Sequence, residues 1–236
     1  MFFENIFKHP FFNSGIFFSN FITKNESLCF IICGIVCTLI PYLLGSINFA
    51  VIISSKAYKD DVRTHGSGNA GMTNMLRTYG KKAAALTLGG DSLKAVVAAL
   101  VGYFMMGLLG AYIAGFFCIL GHMFPIFFKF RGGKGVVTAA TSVLMCNPLV
   151  FLILLVIFVA IVYVSRFISL GSVMCVLLYP MILSGVDTVL IGGSGIYMIF
   201  AVLTTVLVVL KHKDNIKRLL EGKENKLEFK KSVDKK

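Results

Sequence analysis

From Leu28 to Leu210 this sequence is a succession of long apolar runs joined by short polar links. A bilayer's hydrocarbon takes roughly 20 mostly apolar residues per crossing helix, and runs of that length recur along most of the chain. Composition agrees, with 57% of residues hydrophobic and 14% charged. A soluble domain spends about a quarter of its residues on charge and a little under half on apolar side chains. The chain is therefore read as an all-α polytopic integral membrane protein. A disordered basic protein or an ordinary nucleic-acid binder is excluded, because either carries its charge on a polar chain.

Seven segments qualify or nearly qualify as transmembrane helices. They lie at about Leu28 to Lys56, Ala83 to Met106, Leu108 to Phe128, Gly135 to Met145, Pro148 to Phe167, Ile168 to Gly185 and Val189 to Leu210. The fourth is short. Pro41 is expected to kink the first, or to separate a span from an interfacial continuation. The formal charge of +12 falls in three places. The link between the first two spans holds six Lys or Arg against two acids, the link before the fourth span holds three, and the tail from Lys211 holds ten against five. Elsewhere the charges cancel. Under the positive-inside rule these three segments face the cytoplasm, and seven helices then put the N-terminus outside and the C-terminus inside. The expected location is the inner (plasma) membrane.

Residues 1–27 hold eight Phe within the first 21 positions, but Glu4, Lys8, His9 and Pro10 interrupt them and no small-residue cleavage site follows. They are expected to be an interfacial or loosely ordered extension rather than a signal peptide. Residues 28–210 then form one helical membrane domain, and 211–236 a basic cytoplasmic tail. Cys29, Cys33 and Cys37 recur every four residues with no His or carboxylate among them, so they are read as packing residues, and no metal or cofactor is expected.

Each basic segment also carries glycine or short polar side chains. The first contains Gly66, Ser67, Gly68, Asn69, Thr73, Asn74 and Arg77. Its glycines let backbone N–H groups approach a ligand, and an arginine grips phosphate with two bonds. The second contains Gly121-His122 and Pro125, then Gly132-Gly133-Lys134-Gly135 at the start of the short fourth helix. Glycine N–H groups, the positive end of a helix and a lysine are what an anion requires. It is not a nucleotide-binding Walker loop, because Gly135 stands where that pattern needs Ser or Thr. The third contains His212 and Asn215, three apart, which share a face if the last helix continues. Within the bilayer, Asp91 and Lys94 form an i,i+3 pair read as structural, and Ser46, Asn48 and the run Arg166 to Ser172 are further inward polar candidates.

At these residues the sequence resembles the bacterial membrane-integral acyl-phosphate:glycerol-3-phosphate acyltransferases, the PlsY family. The likeness covers about Leu28 to Asn225, with three motifs in order: Gly66-Ser67-Gly68-Asn69 with Thr73-Asn74 and Arg77; Gly121-His122 with Pro125 and Gly132-Gly133-Lys134-Gly135; and His212 with Asn215-Ile216 and Arg218-Leu219-Leu220. The resemblance implies seven membrane helices, a cytoplasm-facing site, and transfer of a fatty acyl group from acyl phosphate to the sn-1 hydroxyl of glycerol 3-phosphate. It implies catalytic roles for Ser67, Arg77, Lys134, His212 and Asn215. Substrate-binding roles fall on Gly66, Gly68, Asn69, Thr73, Asn74, Gly132, Gly133, Gly135 and, more weakly, Ser172. Glu224 matches a structural glutamate. The partners implied are the two substrates, membrane lipids and an upstream acyl-phosphate-forming enzyme. The sequence departs from the pattern at Asn48, Ala70, Met72 and Ala95 and in its N-terminal extension, none of which touches the proposed chemistry.

The same loops could instead form the vestibule of a transporter or channel for a phosphate-bearing anion. Transporters usually show repeated halves broken at mid-membrane, however, and here the glycines and cations gather at one surface without an internal repeat. A lipid-docking anchor would leave Ser67, Asn69, Thr73 and Asn74 idle.

Overall fold

The computed structural model of the chain describes residues 26–190 and 195–227. Every regular element among them is helical. The Phe-rich extension up to residue 25 and the tail from residue 228 lie outside the described residues. Four stretches are long and apolar enough to cross a membrane: Leu28–Tyr58, Lys81–Phe128, Pro148–Ser165 and Ile168–Val189. Two shorter apolar helices, Val136–Cys146 and Met198–Lys211, accompany them. Leu28, Ile31, Ile35 and Leu39, and again Leu152, Val156, Val159 and Tyr163, are exposed at helical spacing. In water such continuous apolar faces would drive aggregation; against hydrocarbon they are at home.

The chain divides into two compact units, Met1–Pro148 and Leu149–Lys236. In the first, α1 (Glu26–Ser46) is followed by α2 (Phe49–Tyr58), α3 (Met72–Tyr79), the long α4 (Lys81–Met123) and α5 (Val136–Cys146). Helix α4 is the hub, packing against α1, α2, α3 and α5. Its interior face is built from Ala83, Ala84, Ala95, Ala98, Ala99, Ala111 and Ala114, small side chains that let neighbouring backbones come close. The α1 contact is close: a Cβ on Gly121 would collide with the Tyr42 carbonyl oxygen.

Helix α4 is interrupted at Met106 and Gly107, where φ turns positive at the glycine. Gly102 and Gly110 nevertheless touch backbone to backbone. Eight residues along a straight helix would lie about 12 Å apart, so the chain folds back there. The interruption falls where the sequence separates its second and third segments.

Elsewhere the boundaries differ from expectation. Helix α1 continues through Pro41 to Ser46, and the separation comes at Ile47 and Asn48. Asn48 has extended backbone angles, and its Oδ1 accepts from Val51 N–H at 3.1 Å, so it ends one helix by capping the next. Proline removes one intrahelical donor and crowds the carbonyl four residues before it, which a helix can absorb by bending, whereas an Asx cap offers the chain a competing bond.

In the second unit, α6 (Pro148–Ser165) and α7 (Ile168–Leu190) precede α8 (Met198–Lys211) and α9 (Lys213–Leu220). Helix α7 packs on α8 and α9. It continues past Gly185 to Leu190, since a glycine weakens a helix by only about 1 kcal/mol.

Candidate active site

The first basic segment leaves α2 through a short turn, Val62–Thr64, capped by Asp61, whose carboxylate accepts from Arg63 N–H at 3.0 Å. Gly66 to Gly71 then loop into α3. Asn74, buried on α3, holds that loop from beneath. Its Oδ1 accepts from Ser67 N–H (3.1 Å), and its Nδ2 donates to Val62 O (3.0 Å) and His65 O (2.9 Å). With the amide so engaged, Asn74 shapes the loop, and the Ser67 residue it supports is exposed. Gly66 has φ +57°, and a Cβ there would strike Asn74 Oδ1, so this turn admits only glycine. Thr73 and Arg77, four apart on α3, share a face.

Beside the loop, the Tyr79 hydroxyl donates to Asp60 Oδ2 at 2.7 Å, and His65 Nε2 lies 2.7 Å from the same oxygen. The tyrosine's bond, with the Asp61 N–H and His65, holds Asp60 below the usual carboxylate range. Burial, then the neighbouring carboxylate, pushes the Tyr79 phenol up to about 12.

The second segment turns through Lys129 and Phe130, both left-handed at φ +56° and +58°. Phe130 N–H donates to Pro125 O (2.9 Å) and Gly133 N–H to His122 O (3.1 Å), which folds the loop back onto the end of α4. Gly135, at φ +75°, opens α5. Lys134 thus stands directly before a helix N-terminus, whose unsatisfied N–H groups favour negative charge.

The two loops are tied together. Arg63 holds Asp61 through Nε (3.0 Å) and Nη2 (2.7 Å), while its Nη1 donates to Phe128 O (3.2 Å) and Arg131 O (3.3 Å). Gly133 rests against the Ala70 carbonyl, 2.7 Å from where a Cβ would stand. The Gly66–Arg77 and Gly132–Gly135 segments are therefore neighbours within the first unit. The sequence reading counted Arg63 only as charge; its signal was the Asp-x-Arg spacing, which makes a cap and a cation available for a second strand of chain.

In the second unit, α8 ends at Lys211 and α9 begins at Lys213, so His212 sits at a joint and the last helix does not run on. Both His212 and Asn215 are buried all the same. His212 Nδ1 is 2.7 Å from Val208 O. A carbonyl only accepts, so Nδ1 carries the proton and neutral His212 has its lone pair on Nε2. Ser172 turns its hydroxyl back to Ile168 O (2.9 Å).

Glu224 anchors this corner, accepting from Asn215 Nδ2 (2.7 Å), Arg218 Nε (2.8 Å) and Ser169 Oγ (3.0 Å). Burial pushes its pKa up, but these donors outweigh burial and hold the carboxyl below its ordinary value. The anchor is therefore in force above the usual glutamate range and is lost as pH falls through the depressed folded value. Glu224→Gln should loosen the corner at neutral pH by about 3 kcal/mol, the low end for a broken buried pair because Arg218 is partly solvated. Hydrogen exchange across 213–227 reads this directly. A protection pattern like the wild type's would contradict the assignment.

These observations define an all-helical integral membrane protein whose polar ends carry glycine-lined, cationic loops. The family model for glycerol-3-phosphate acyltransferase matches residues 35–222. Glycerol-3-phosphate acyltransferases of Thermoanaerobacter pseudethanolicus and Finegoldia magna are 41% and 38% identical, over 82% and 85% of this chain and 96% and 97% of theirs. Among solved structures, PlsY, an integral membrane glycerol 3-phosphate acyltransferase, superposes in its glycerol 3-phosphate form with a TM-score of 0.75 at 33% identity, over 83% of this chain and 96% of that one. Its lysophosphatidic acid form gives 0.73 at 32% identity, over 83% and 95%. The chain belongs to the glycerol-3-phosphate acyltransferase family, of the PlsY type.

Proposed function

We propose that this protein transfers a fatty acyl group from acyl phosphate to the sn-1 hydroxyl of glycerol 3-phosphate, releasing lysophosphatidic acid and inorganic phosphate. The observation that carries the reading is the pair of glycine-lined loops strapped together by Arg63, with Lys134 placed before the N-terminus of α5. Both substrates bear phosphate, and this loop pair has the donors for one.

Acyl phosphate is a mixed anhydride with a good leaving group. The glycerol hydroxyl oxygen attacks the acyl carbon, the carbon–oxygen bond to phosphate breaks, and the phosphate departs with the electron pair. The protein's task is to position the hydroxyl and to stabilise charge on the tetrahedral centre and leaving phosphate. Lys134, Arg77 and the loop N–H groups of Gly66, Gly132 and Gly135 suit that charge, with Ser67, Asn69 and Thr73 as polar contacts, while Gly68 and Gly133 shape the loops through N–H bonds to His65 O and His122 O. His212 and Asn215 orient glycerol 3-phosphate. The hydroxyl proton passes to a substrate phosphate oxygen, because no loop carboxylate is a candidate base: Asp60 and Asp61 are held ionised at low pKa by Tyr79 and Arg63, which makes them weak acceptors.

The topology proposed with this activity is seven transmembrane helices in the inner membrane, N-terminus outside, with the three basic segments and the site facing the cytoplasm. In that arrangement residues 28–210 are the membrane domain, 211–236 the cytoplasmic tail, and an acyl-phosphate-forming enzyme supplies the donor. A donor comparison on purified protein tests the chemistry. Acyl phosphate should support turnover while the matching acyl-CoA and acyl-carrier-protein thioesters do not, and the product should be esterified at sn-1. Turnover with acyl-CoA would sink the donor assignment.

A further inference from the structure

Lys94 is almost wholly buried, 4% exposed, on α4 within the apolar body of the first unit. An i,i+3 partner, Asp91, lies 2.8 Å away and would suffice to neutralise it. The ammonium does more than that. It also reaches Ile47 O at 2.7 Å, Gly45 O at 3.0 Å and His122 Nδ1 at 3.0 Å. The two carbonyls belong to the break between α1 and α2, where the last carbonyls of a helix lose their own partners. An ammonium can only donate, so Nδ1 accepts and the neutral His122 ring carries its proton on Nε2. That nitrogen lies under the second loop: a Cβ on Gly133 would collide with it. The His122 carbonyl in turn accepts from Gly133 N–H at 3.1 Å. On the other side, Asn48 follows Ile47 and places Nδ2 3.5 Å from Ala70 O, at the end of the first loop.

We propose that Lys94 is a positioning residue of the anion site, fixing His122 beneath Gly133 and the α1–α2 break beneath Ala70, so that one buried ammonium sets the spacing of both loops. The inference deepens the functional reading above and rests on it for the identity of the substrates. Mere charge neutralisation would require Asp91 alone and would leave the carbonyl and imidazole contacts without consequence.

The test uses Asp91→Asn/Lys94→Met, which removes both charges together and avoids stranding a buried carboxylate. Full-length protein in detergent is assayed for acyl transfer, and binding of inorganic phosphate is measured by calorimetry. The double variant should raise the KM for one of the two phosphate-bearing substrates at least tenfold, and weaken inorganic phosphate binding in parallel, with kcat within threefold of wild type. A purely structural pair would lower the active fraction, and so kcat, while KM and phosphate affinity stayed within twofold; that result overturns the proposal. Should the double variant fail to fold, His122→Asn decides in the same terms. It keeps an acceptor for Lys94 but has no atom in the place of Nε2, and unchanged KM and phosphate affinity would equally overturn the proposal. The phosphate arm needs no turnover. A wild type that bound phosphate but transferred no acyl group would therefore defeat the functional reading alone.

Discussion

Lys134→Ala should lower kcat/KM for acyl transfer by a factor of about 100 to 1000, the cost of removing one well-placed electrostatic donor. The lysine precedes Gly135, which opens α5, so the ammonium and the helix N-terminus offer their charge at one end of one helix. Alanine leaves the helix and the glycine turns intact, since the loop is held by its own backbone bonds and by Arg63. The fold should survive, and the loss should appear in rate rather than in yield. Lys134→Arg keeps the charge but not the compact shape, and should recover part of the activity. Initial-rate kinetics on both variants, with melting temperature as control, check this. Near-wild-type turnover of a well-folded alanine variant would remove Lys134 from the chemistry.

The second large effect is expected at His212. Its Nδ1–H is committed to Val208 O, which locks the ring and leaves Nε2 as an acceptor. An acceptor held in this way can hold glycerol 3-phosphate by its other hydroxyl, so that the attacking one turns its proton to the substrate phosphate. His212→Ala should then cost roughly 100-fold in kcat/KM, the scale of a lost orienting contact. His212→Gln, whose amide oxygen accepts a hydrogen bond but does not take a proton, should stay within about tenfold of wild type. Were Gln as damaging as Ala, with kcat down a hundredfold or more, His212 would be the general base and the substrate phosphate would lose that role.

The sequence made the helical membrane fold and the composition of the loops legible because both depend on local pattern. Apolar runs of bilayer length allow little but helices, and glycines with a lysine ahead of a helix are a local pattern that suits an anion. What it left out were contacts set by distant parts of the chain. Pro41 looked like the natural breaking point of the first helix, yet the break formed at Asn48, where a side-chain cap and the Lys94 ammonium together satisfy the freed backbone groups. Asp91 and Lys94 read as a self-neutralising pair, because the His122, Gly45 and Ile47 partners lie 28 to 49 residues from Lys94. Arg63 was invisible as a strap for the same reason, its carbonyl partners being 65 and 68 residues downstream. Asn74 read as a ligand-facing residue of its motif, and the structure turns its amide inward to build the loop that carries Ser67.

The most direct test of the account is the stoichiometry of the reaction itself. Purified, folded protein given a synthetic acyl phosphate and glycerol 3-phosphate should release inorganic phosphate and form lysophosphatidic acid in equal amounts, each dependent on both substrates. A folded preparation that forms neither product, or that releases phosphate without glycerol 3-phosphate being acylated, would contradict it.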